Sequence, residues 1–135
     1  DVNLRQKFYS KEMLGESLKL ASVFKLNEEE CAVMSALFAP WLGREDILKL
    51  TAERFGLEYI ILTLGADGSM LYDGRDFAHY PVAPCPRIED TVGCGDSFLA
   101  AWCVAVLNGE TPDAAMRAAS LVSAKVAGQK GAMAD

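Results

Sequence analysis

Apolar and polar positions along this chain alternate between a helical and a strand-like period. Apolar residues at helical spacing predict helices over residues 11–21, with Ser10 as N-cap, and over residues 44–55, with Gly56 just beyond the end. Further helices are expected to begin after Asn27, at Asp96 and at Thr111. Short β-prone runs predict strands at residues 22–26, 59–64, 69–72 and 77–82. This order of elements is typical of an α/β domain.

Two apolar segments indicate where the core lies. Residues 59–64 are apolar on both faces, as in a strand in the middle of a parallel sheet covered by helices. Residues 96–107 are nearly all apolar with a helical pattern, so this helix is expected to be buried. Trp41 and Trp102 are expected to anchor the core. The length of 135 residues suits one domain.

Composition excludes several classes of function. Half of the chain (51%) is hydrophobic and 24% is charged, which rules out general disorder. The net charge of −6 argues against nucleic-acid binding, because a nucleic-acid binder normally carries a basic face. The longest apolar run, residues 98–107, is about half of what a membrane-spanning helix needs. Neither nucleic acid nor a membrane is therefore expected as a partner.

The cysteine pattern argues against a metal centre built on thiolates. The four cysteines, at positions 31, 85, 94 and 103, form no Cys-x-x-Cys pair, and His79 is the single histidine. Zinc ligands cluster at shorter spacings, and a disulfide scaffold would carry more cysteines in so short a chain. Reduced thiols in a cytoplasmic protein are the expectation, with Cys31 and Cys103 as small core residues. His79 is expected to be a surface or structural residue.

The segment that carries chemistry is residues 90–98, a glycine-rich loop that runs directly into the apolar helix. Because Gly93 and Gly95 lack side chains, the backbone N–H groups of residues 93–96 can converge on an anion. The helix N-terminus adds partial positive charge at the same point. Asp96 is suited to accept a proton from a hydroxyl that attacks phosphorus. The alternative interpretation is a tight turn with Asp96 as an N-cap.

This loop resembles the Asp-Thr-x-Gly-Ala-Gly-Asp signature of the ribokinase-like (PfkB-type) carbohydrate kinases, with Cys94 in place of the alanine. The resemblance implies that Asp96 is the catalytic base. It assigns the anion hole for the transferred phosphoryl group to the backbone N–H groups of Gly93, Cys94 and Gly95. It also implies that Asp90 helps to hold a monovalent cation, K⁺, near the loop.

Two segments nearer the start of the chain agree with this resemblance in order and spacing. Residues 1–5 are similar to the Asp-x-Asn-x-Arg segment of fructokinase-like members, which implies that Asn3 and Arg5 contact the substrate. Residues 27–30 are similar to the family's Asn-x-x-Glu motif, which implies that Asn27 and Glu30 organise Mg²⁺ through water molecules. The alternative is Asn27 as an N-cap followed by solvated glutamates, and the two interpretations are compatible.

Two further segments resemble the nucleotide side of the family's site. Residues 63–69 are similar to the loop at the end of a central strand, which implies that Thr63, Gly65 and Gly68 bind the nucleotide; a plain β-turn is the alternative. Residues 119–131 are similar to the small-residue helix beside the adenine. The wall positions that this implies are Ala119, Val122 and Ser123.

The resemblance implies a three-layer α/β/α ribokinase-like fold with a mostly parallel central sheet. This chain would be the C-terminal, nucleotide-binding and catalytic half, without the N-terminal sugar-binding half and lid. The expected activity is ATP- and Mg²⁺-dependent phosphorylation of a sugar hydroxyl, with fructose as the first candidate. The alternatives are a kinase of the same fold acting on a ribose, a nucleoside or a sugar acid, and a non-catalytic nucleotide-binding fragment. The sequence leaves the oligomeric state open, with a homodimer as one alternative.

Overall fold

The computed structural model describes residues 1–4, 9–85 and 87–129. The helices are α1 (Lys11–Leu20), α2 (Glu28–Phe38), α3 (Arg44–Phe55), α4 (Cys94–Leu107) and α5 (Pro112–Ala127). The strands are β1 (Val23–Asn27), β2 (Tyr59–Thr63), β3 (Ser69–Tyr72) and β4 (Phe77–Tyr80). The chain divides into two compact units. Unit 1 comprises Asp1–Gly65 and Ser69–His79, and unit 2 comprises Ala66–Gly68 and the chain from Tyr80 onward.

The strands form a sheet in the order β1-β2-β3-β4. β1 and β2 are parallel, with Asn27 opposite Thr63, whereas β2 and β3 are antiparallel, with Thr63 opposite Ser69. The predicted central position of β2 is confirmed, but it has a parallel neighbour on one side only, because the chain turns back directly after Thr63. The carboxyl ends of β1 and β2 therefore lie side by side, which is where ligands of α/β sheets bind.

Local sequence signals set the ends of the helices as predicted. Ser10 caps α1, since its side chain accepts the backbone N–H of Met13. Thr111 caps α5 in the same way, and Pro112 follows at the first helical position. Gly56 ends α3 with φ of +66°, a conformation that glycine adopts without strain.

The core of unit 1 lies between the sheet and helices α1 to α3. The strands contribute Leu26, Ile60 and Leu62, and the helices contribute residues such as Leu18, Met34 and Ile47, all of them almost completely buried. Cys31 is buried here, as predicted. Trp41 is 78% exposed, so the prediction that it anchors the core is wrong. It lies between the end of α2 and the start of α3, where the chain turns and helical spacing no longer decides which side chains face inward.

Unit 2 contains α4 and α5 packed against each other. Trp102 and Phe98 of α4 are buried, whereas Val104 and Leu107 are exposed, so the expectation of a buried α4 is wrong for much of its surface. Within this unit α5 covers one side of α4, which leaves the remaining apolar side chains facing outward. Cys103 is consequently half-buried. Among the described residues, no helix is both long and apolar enough to cross a membrane.

Candidate active site

The loop before α4 brings the candidate anion site together in unit 2. Gly93 adopts φ of +83° and takes the N-cap position, so α4 begins at Cys94, two residues earlier than the sequence pattern predicts. The N–H of Cys94 is bonded to the carbonyl of Thr91 (3.2 Å), and that of Ser97 to the carbonyl of Gly93 (2.9 Å). Within the described part of the chain, the N–H groups of Gly95 and Asp96 have no acceptor. They are the donors that the helix N-terminus offers to an anion.

Asp96 is the third residue of α4, and its side chain does not cap the helix. The interpretation of Asp96 as an N-cap is therefore wrong, because Gly93 occupies that position. The side chain is exposed, and among the described residues its carboxylate makes no hydrogen bond or ion pair. A carboxylate at this place is accessible to a hydroxyl group that approaches the same helix end.

Cys94 joins the loop to α5 through a reciprocal pair of contacts. Its thiol donates to the carbonyl of Ser123 (3.7 Å), and the Ser123 hydroxyl donates to the carbonyl of Cys94 (3.3 Å). Burial raises the pKa of the Cys94 thiol, and the contact with Ser123 opposes that rise only in part. The thiol is consequently a packed, protonated group that holds the loop in place, in keeping with a small residue at this position.

Asp90 stabilises the start of the same loop. Its Oδ1 accepts the backbone N–H of Val92 (2.9 Å), and its own N–H, with that of Glu89, donates to the carbonyl of Ala127 at the end of α5 (3.2 and 2.8 Å). This carboxylate oxygen is thus used in a local turn. The structure therefore shows Asp90 shaping the loop.

The three candidate adenine-wall residues of α5 do not share one surface. Ala119 is 0% exposed, so a ligand cannot reach its side chain in this conformation, and Ser123 is engaged with Cys94. Val122 is exposed and lines a groove of about 710 Å³ between α4 and α5. Other small and apolar residues line the same groove, among them Ala101, Val104, Ala114 and Ala118.

Asn27 and Glu30, in unit 1, form a complete capping box. Asn27 Oδ1 accepts the N–H of Glu30 (2.8 Å), and Glu30 Oε2 accepts the N–H of Asn27 (2.9 Å). The other carboxylate oxygen of Glu30 accepts the N–H of Leu4 (3.2 Å), and Glu30 is only 7% exposed. The two roles expected of this pair, capping α2 and orienting water molecules around Mg²⁺, therefore use the same side-chain oxygens.

This arrangement decides what kind of metal site the residues could form. Each Glu30 oxygen already accepts one backbone N–H, and one lone pair on each remains. No group of three or more His, Cys, Asp or Glu side chains lies close enough to coordinate a metal directly in the parts of the chain that are described. The residues fit an ion that keeps most of its water molecules, as Mg²⁺ does, and do not fit a tightly ligated metal.

Residues 1–4 are fastened to β1 and α2. The Asp1 carboxylate pairs with Lys25 Nζ at 3.3 Å, and both side chains are almost fully buried. The N–H of Val2 donates to the carbonyl of Lys25 (3.4 Å), and Asn3 adopts φ of +46°. The sequence analysis missed the Asp1–Lys25 pair, for which a lysine inside an apolar strand was the available signal. Arg5, the second predicted substrate residue, lies outside the described residues.

The segment after β2 forms a tight turn containing two glycines with positive φ. Thr63 ends β2, and its hydroxyl donates to the carbonyl of Leu26 (3.4 Å). Gly65 has φ of +58° and Gly68 φ of +91°. A Cβ on Gly65 would meet nothing within 4 Å, whereas a Cβ on Gly68 would collide with the carbonyl oxygen of Tyr80. The geometry therefore requires glycine at position 68 for two independent reasons.

Comparison with known sequences identifies relatives along the whole chain. Residues 1–135 match the family described as pfkB family carbohydrate kinase. The chain is 30% identical to aminoimidazole riboside kinase of Salmonella typhimurium over 98% of its own length and 43% of the relative's. It is 30% identical to a fructokinase of Klebsiella pneumoniae over 84% of the chain and 37% of that relative. The chain thus spans less than half the length of these curated relatives.

Solved structures share the fold. Ribokinase of Thermotoga maritima matches 90% of this chain and 41% of its own chain, with a TM-score of 0.81 and 25% identity. Aminoimidazole riboside kinase of Salmonella enterica, solved with aminoimidazole riboside and an ATP analogue, matches 96% of this chain and 45% of its own. Its TM-score is 0.78 at 25% identity. The α/β architecture is therefore the ribokinase-like fold that the sequence motifs predict.

Proposed function

Because the chain belongs to the pfkB family of carbohydrate kinases, we propose that the protein containing it transfers the γ-phosphoryl group of ATP to a sugar hydroxyl. The observation that carries this proposal is the start of α4. There, Gly93 adopts a left-handed conformation, and the first turn of α4 carries both the exposed carboxylate of Asp96 and the N–H groups of Gly95 and Asp96, for which the described residues provide no acceptor. A site for binding alone has no need of a carboxylate that repels phosphate.

The proposed chemistry assigns one role to each group. The Asp96 carboxylate accepts the proton of the attacking hydroxyl as the new O–P bond forms and the bond to the leaving ADP oxygen breaks. The backbone N–H groups of Gly95 and Asp96, with the positive end of α4, stabilise the charge on the phosphoryl oxygens. The N–H of Cys94 is bonded to Thr91, which reduces the anion hole of residues 93–95 that the family resemblance implies.

The nucleotide and the metal are assigned to the remaining motifs. Thr63, Gly65 and Gly68 would contact the ATP phosphates, and Asn27 with Glu30 would orient water molecules around Mg²⁺. When bound, the Mg²⁺ ion neutralises phosphate charge during transfer. Asp90, at the start of the loop, would help to hold K⁺ near the phosphate site. On α5, Val122 is the position that remains open to a ligand.

Two kinds of acceptor sugar are candidates. Fructose follows from the Asp-x-Asn-x-Arg segment, of which Asn3 lies within the described residues. A riboside is the second candidate, supported by the match to a riboside kinase over 98% of the chain. We further propose that these residues are the nucleotide half of a longer kinase domain, because the relatives are more than twice as long.

A phosphoryl-transfer assay tests the proposal directly. The protein that contains these residues is incubated with [γ-³²P]ATP, Mg²⁺ and, in separate reactions, fructose, ribose, a purine riboside and 2-keto-3-deoxygluconate. Label is expected in one sugar phosphate and absent when Asp96 is replaced by asparagine. Hydrolysis of ATP to free phosphate with no labelled sugar in any reaction would contradict the kinase assignment.

A further inference from the structure

Tyr80 occupies a position between the loop at residues 66–68 and the first turn of α5. Its ring is buried, and its hydroxyl donates to Asp113 Oδ1 at 2.9 Å. The second oxygen of Asp113 accepts from Nε of Arg117 (3.2 Å), whose guanidinium lies 5.6 Å from the centroid of the Tyr80 ring. The side chain of Tyr80 is therefore tied to α5 by a charge-assisted hydrogen bond and a cation–π contact.

The backbone of the same residue supports the loop. The carbonyl group of Tyr80 occupies the space that a Cβ on Gly68 would need, and the next carbonyl carbon, that of Pro81, would lie 3.1 Å from such an atom. Gly68 is thus packed directly against the Tyr80–Pro81 peptide. Any displacement of the Tyr80 backbone changes the space available to Gly68, because no side chain lies between them to absorb the movement.

The electrostatics of the cluster favour a persistent hydrogen bond. The hydrogen bond from Tyr80 and the neighbouring Arg117 lower the pKa of Asp113, so its carboxylate is ionised at neutral pH. Burial, together with the carboxylate, raises the pKa of Tyr80, so its hydroxyl keeps its proton. A protonated donor and an ionised acceptor are the stronger form of this bond.

We propose that Tyr80 is a positioning residue for the loop at residues 66–68, which it holds in register with α5 through the bond to Asp113. The functional meaning of this role rests on the proposed function, in which the loop binds the ATP phosphates. Preorganisation of such a loop contributes to affinity because the ligand does not have to order it. Neither Tyr80 nor Asp113 belongs to the sequence motifs that indicate the kinase site.

Hydrogen–deuterium exchange of the protein that contains this chain, recorded without nucleotide, tests the positioning role by itself. In Tyr80→Phe the ring stays and only the hydroxyl is lost, and we expect a peptide covering residues 64–70 to exchange at least about threefold faster. Tyr72→Phe is the matched control. It removes a hydroxyl from another buried tyrosine, one that stacks on Phe77. A peptide from α4 should keep its exchange rate in both variants.

Two variants of Asp113 separate the hydrogen bond from the charge. Asp113→Asn keeps an oxygen acceptor for Tyr80 but removes the charge, so exchange of residues 64–70 should lie between that of the wild type and that of Asp113→Ala. Asp113→Ala removes the acceptor and should behave like Tyr80→Phe. Unchanged exchange in Tyr80→Phe, equal acceleration of the α4 peptide, or identical behaviour of the two Asp113 variants would each overturn the inference.

Repeating the exchange with Mg²⁺-ATP distinguishes failure of the inference from failure of the proposed function. If the loop binds phosphate, ATP slows exchange of residues 64–70 in the wild-type protein that contains this chain, and Tyr80→Phe requires about three to ten times more ATP for the same protection. Absence of protection by ATP in the wild type would contradict the nucleotide site, while the nucleotide-free data would still decide the role of Tyr80.

Discussion

The backbone N–H of Leu4 donates to the carboxylate of Glu30, 3.2 Å away, across 26 positions of sequence. The other oxygen of that carboxylate accepts the N–H of Asn27. One buried side chain thus connects the two segments to which the family resemblance assigns substrate and magnesium contacts. The N–H groups of Leu4 and Asn27 hold the Glu30 side chain in position, and both would lose their acceptor if that side chain were removed.

Replacement of Glu30 by glutamine should destabilise the chain. Glutamine has one acceptor oxygen where glutamate has two, so either Leu4 or Asn27 loses a partner for its N–H. The free energy of unfolding should fall by about 1–3 kcal/mol, the cost of an unsatisfied buried donor. Urea unfolding followed by circular dichroism measures this change. Glu29→Gln, an exposed neighbour in the same helical turn, is the control and should stay within about 0.5 kcal/mol of wild type.

Asp96→Asn should lower kcat of the protein containing this chain by at least about a hundredfold, because the proton acceptor is lost. Affinity for ATP should hold or improve, since a negative charge beside the phosphates disappears. The matched control is Asp46→Asn, because Asp46 is also an exposed third residue of a helix with a glycine N-cap. Turnover of Asp96→Asn near that of the control would show that Asp96 is no catalytic base.

Gly93→Ala should be destabilising by about 1–2 kcal/mol, because an L-residue is strained at φ of +83°. Gly15→Ala should have the opposite effect on the free energy of unfolding. Gly15 lies inside α1 with nothing within 4 Å of a built Cβ, so alanine there should stabilise the helix by about 0.5–1 kcal/mol. Chemical unfolding of both variants tests whether the left-handed turn exists; equal effects at the two positions would contradict it.

The turn between β3 and β4 should contribute a pH-dependent part of the stability. Backbone N–H groups of Asp76 and Arg75 lower the pKa of Asp73. A carboxyl with a depressed folded-state pKa stabilises the protein above its unfolded value, and this contribution is lost as the pH falls through the folded value. Below about pH 4 the melting temperature of wild type should approach that of Asp73→Ala. A constant difference between the two from pH 7 to pH 3 would rule this out.

The 135-residue chain by itself should phosphorylate no sugar and should self-associate. Several apolar side chains on α4 and α5 are exposed, among them Val104, Leu107 and Leu121, and a neighbouring part of a kinase domain would cover such side chains. Light scattering coupled to gel filtration should find species larger than the 14.6 kDa monomer. A monodisperse monomer that turns over fructose and ATP would contradict both this expectation and the proposed division of the kinase domain.

Much of the fold follows from signals that act over three or four residues. Asn27 and Thr111 define helix starts because their side chains reach the N–H groups of the next turn. Gly56 ends α3 because only glycine takes a left-handed conformation without strain. The glycines and Asp96 likewise indicate a helix end suited to phosphate, since glycine freedom and helix polarity are properties of the local chain.

Tertiary structure decided the contacts between distant segments. No periodicity in the sequence pairs Leu4 with Glu30, or Tyr80 with Asp113, because those contacts depend on which elements the sheet and helices bring together. The same reason explains why Trp41 lies exposed, and why Ala119 is buried while Val122, on the same helix α5, is exposed. The type of a side chain determines which contacts it can make. The packing of neighbouring elements determines whether a partner for such a contact lies within reach.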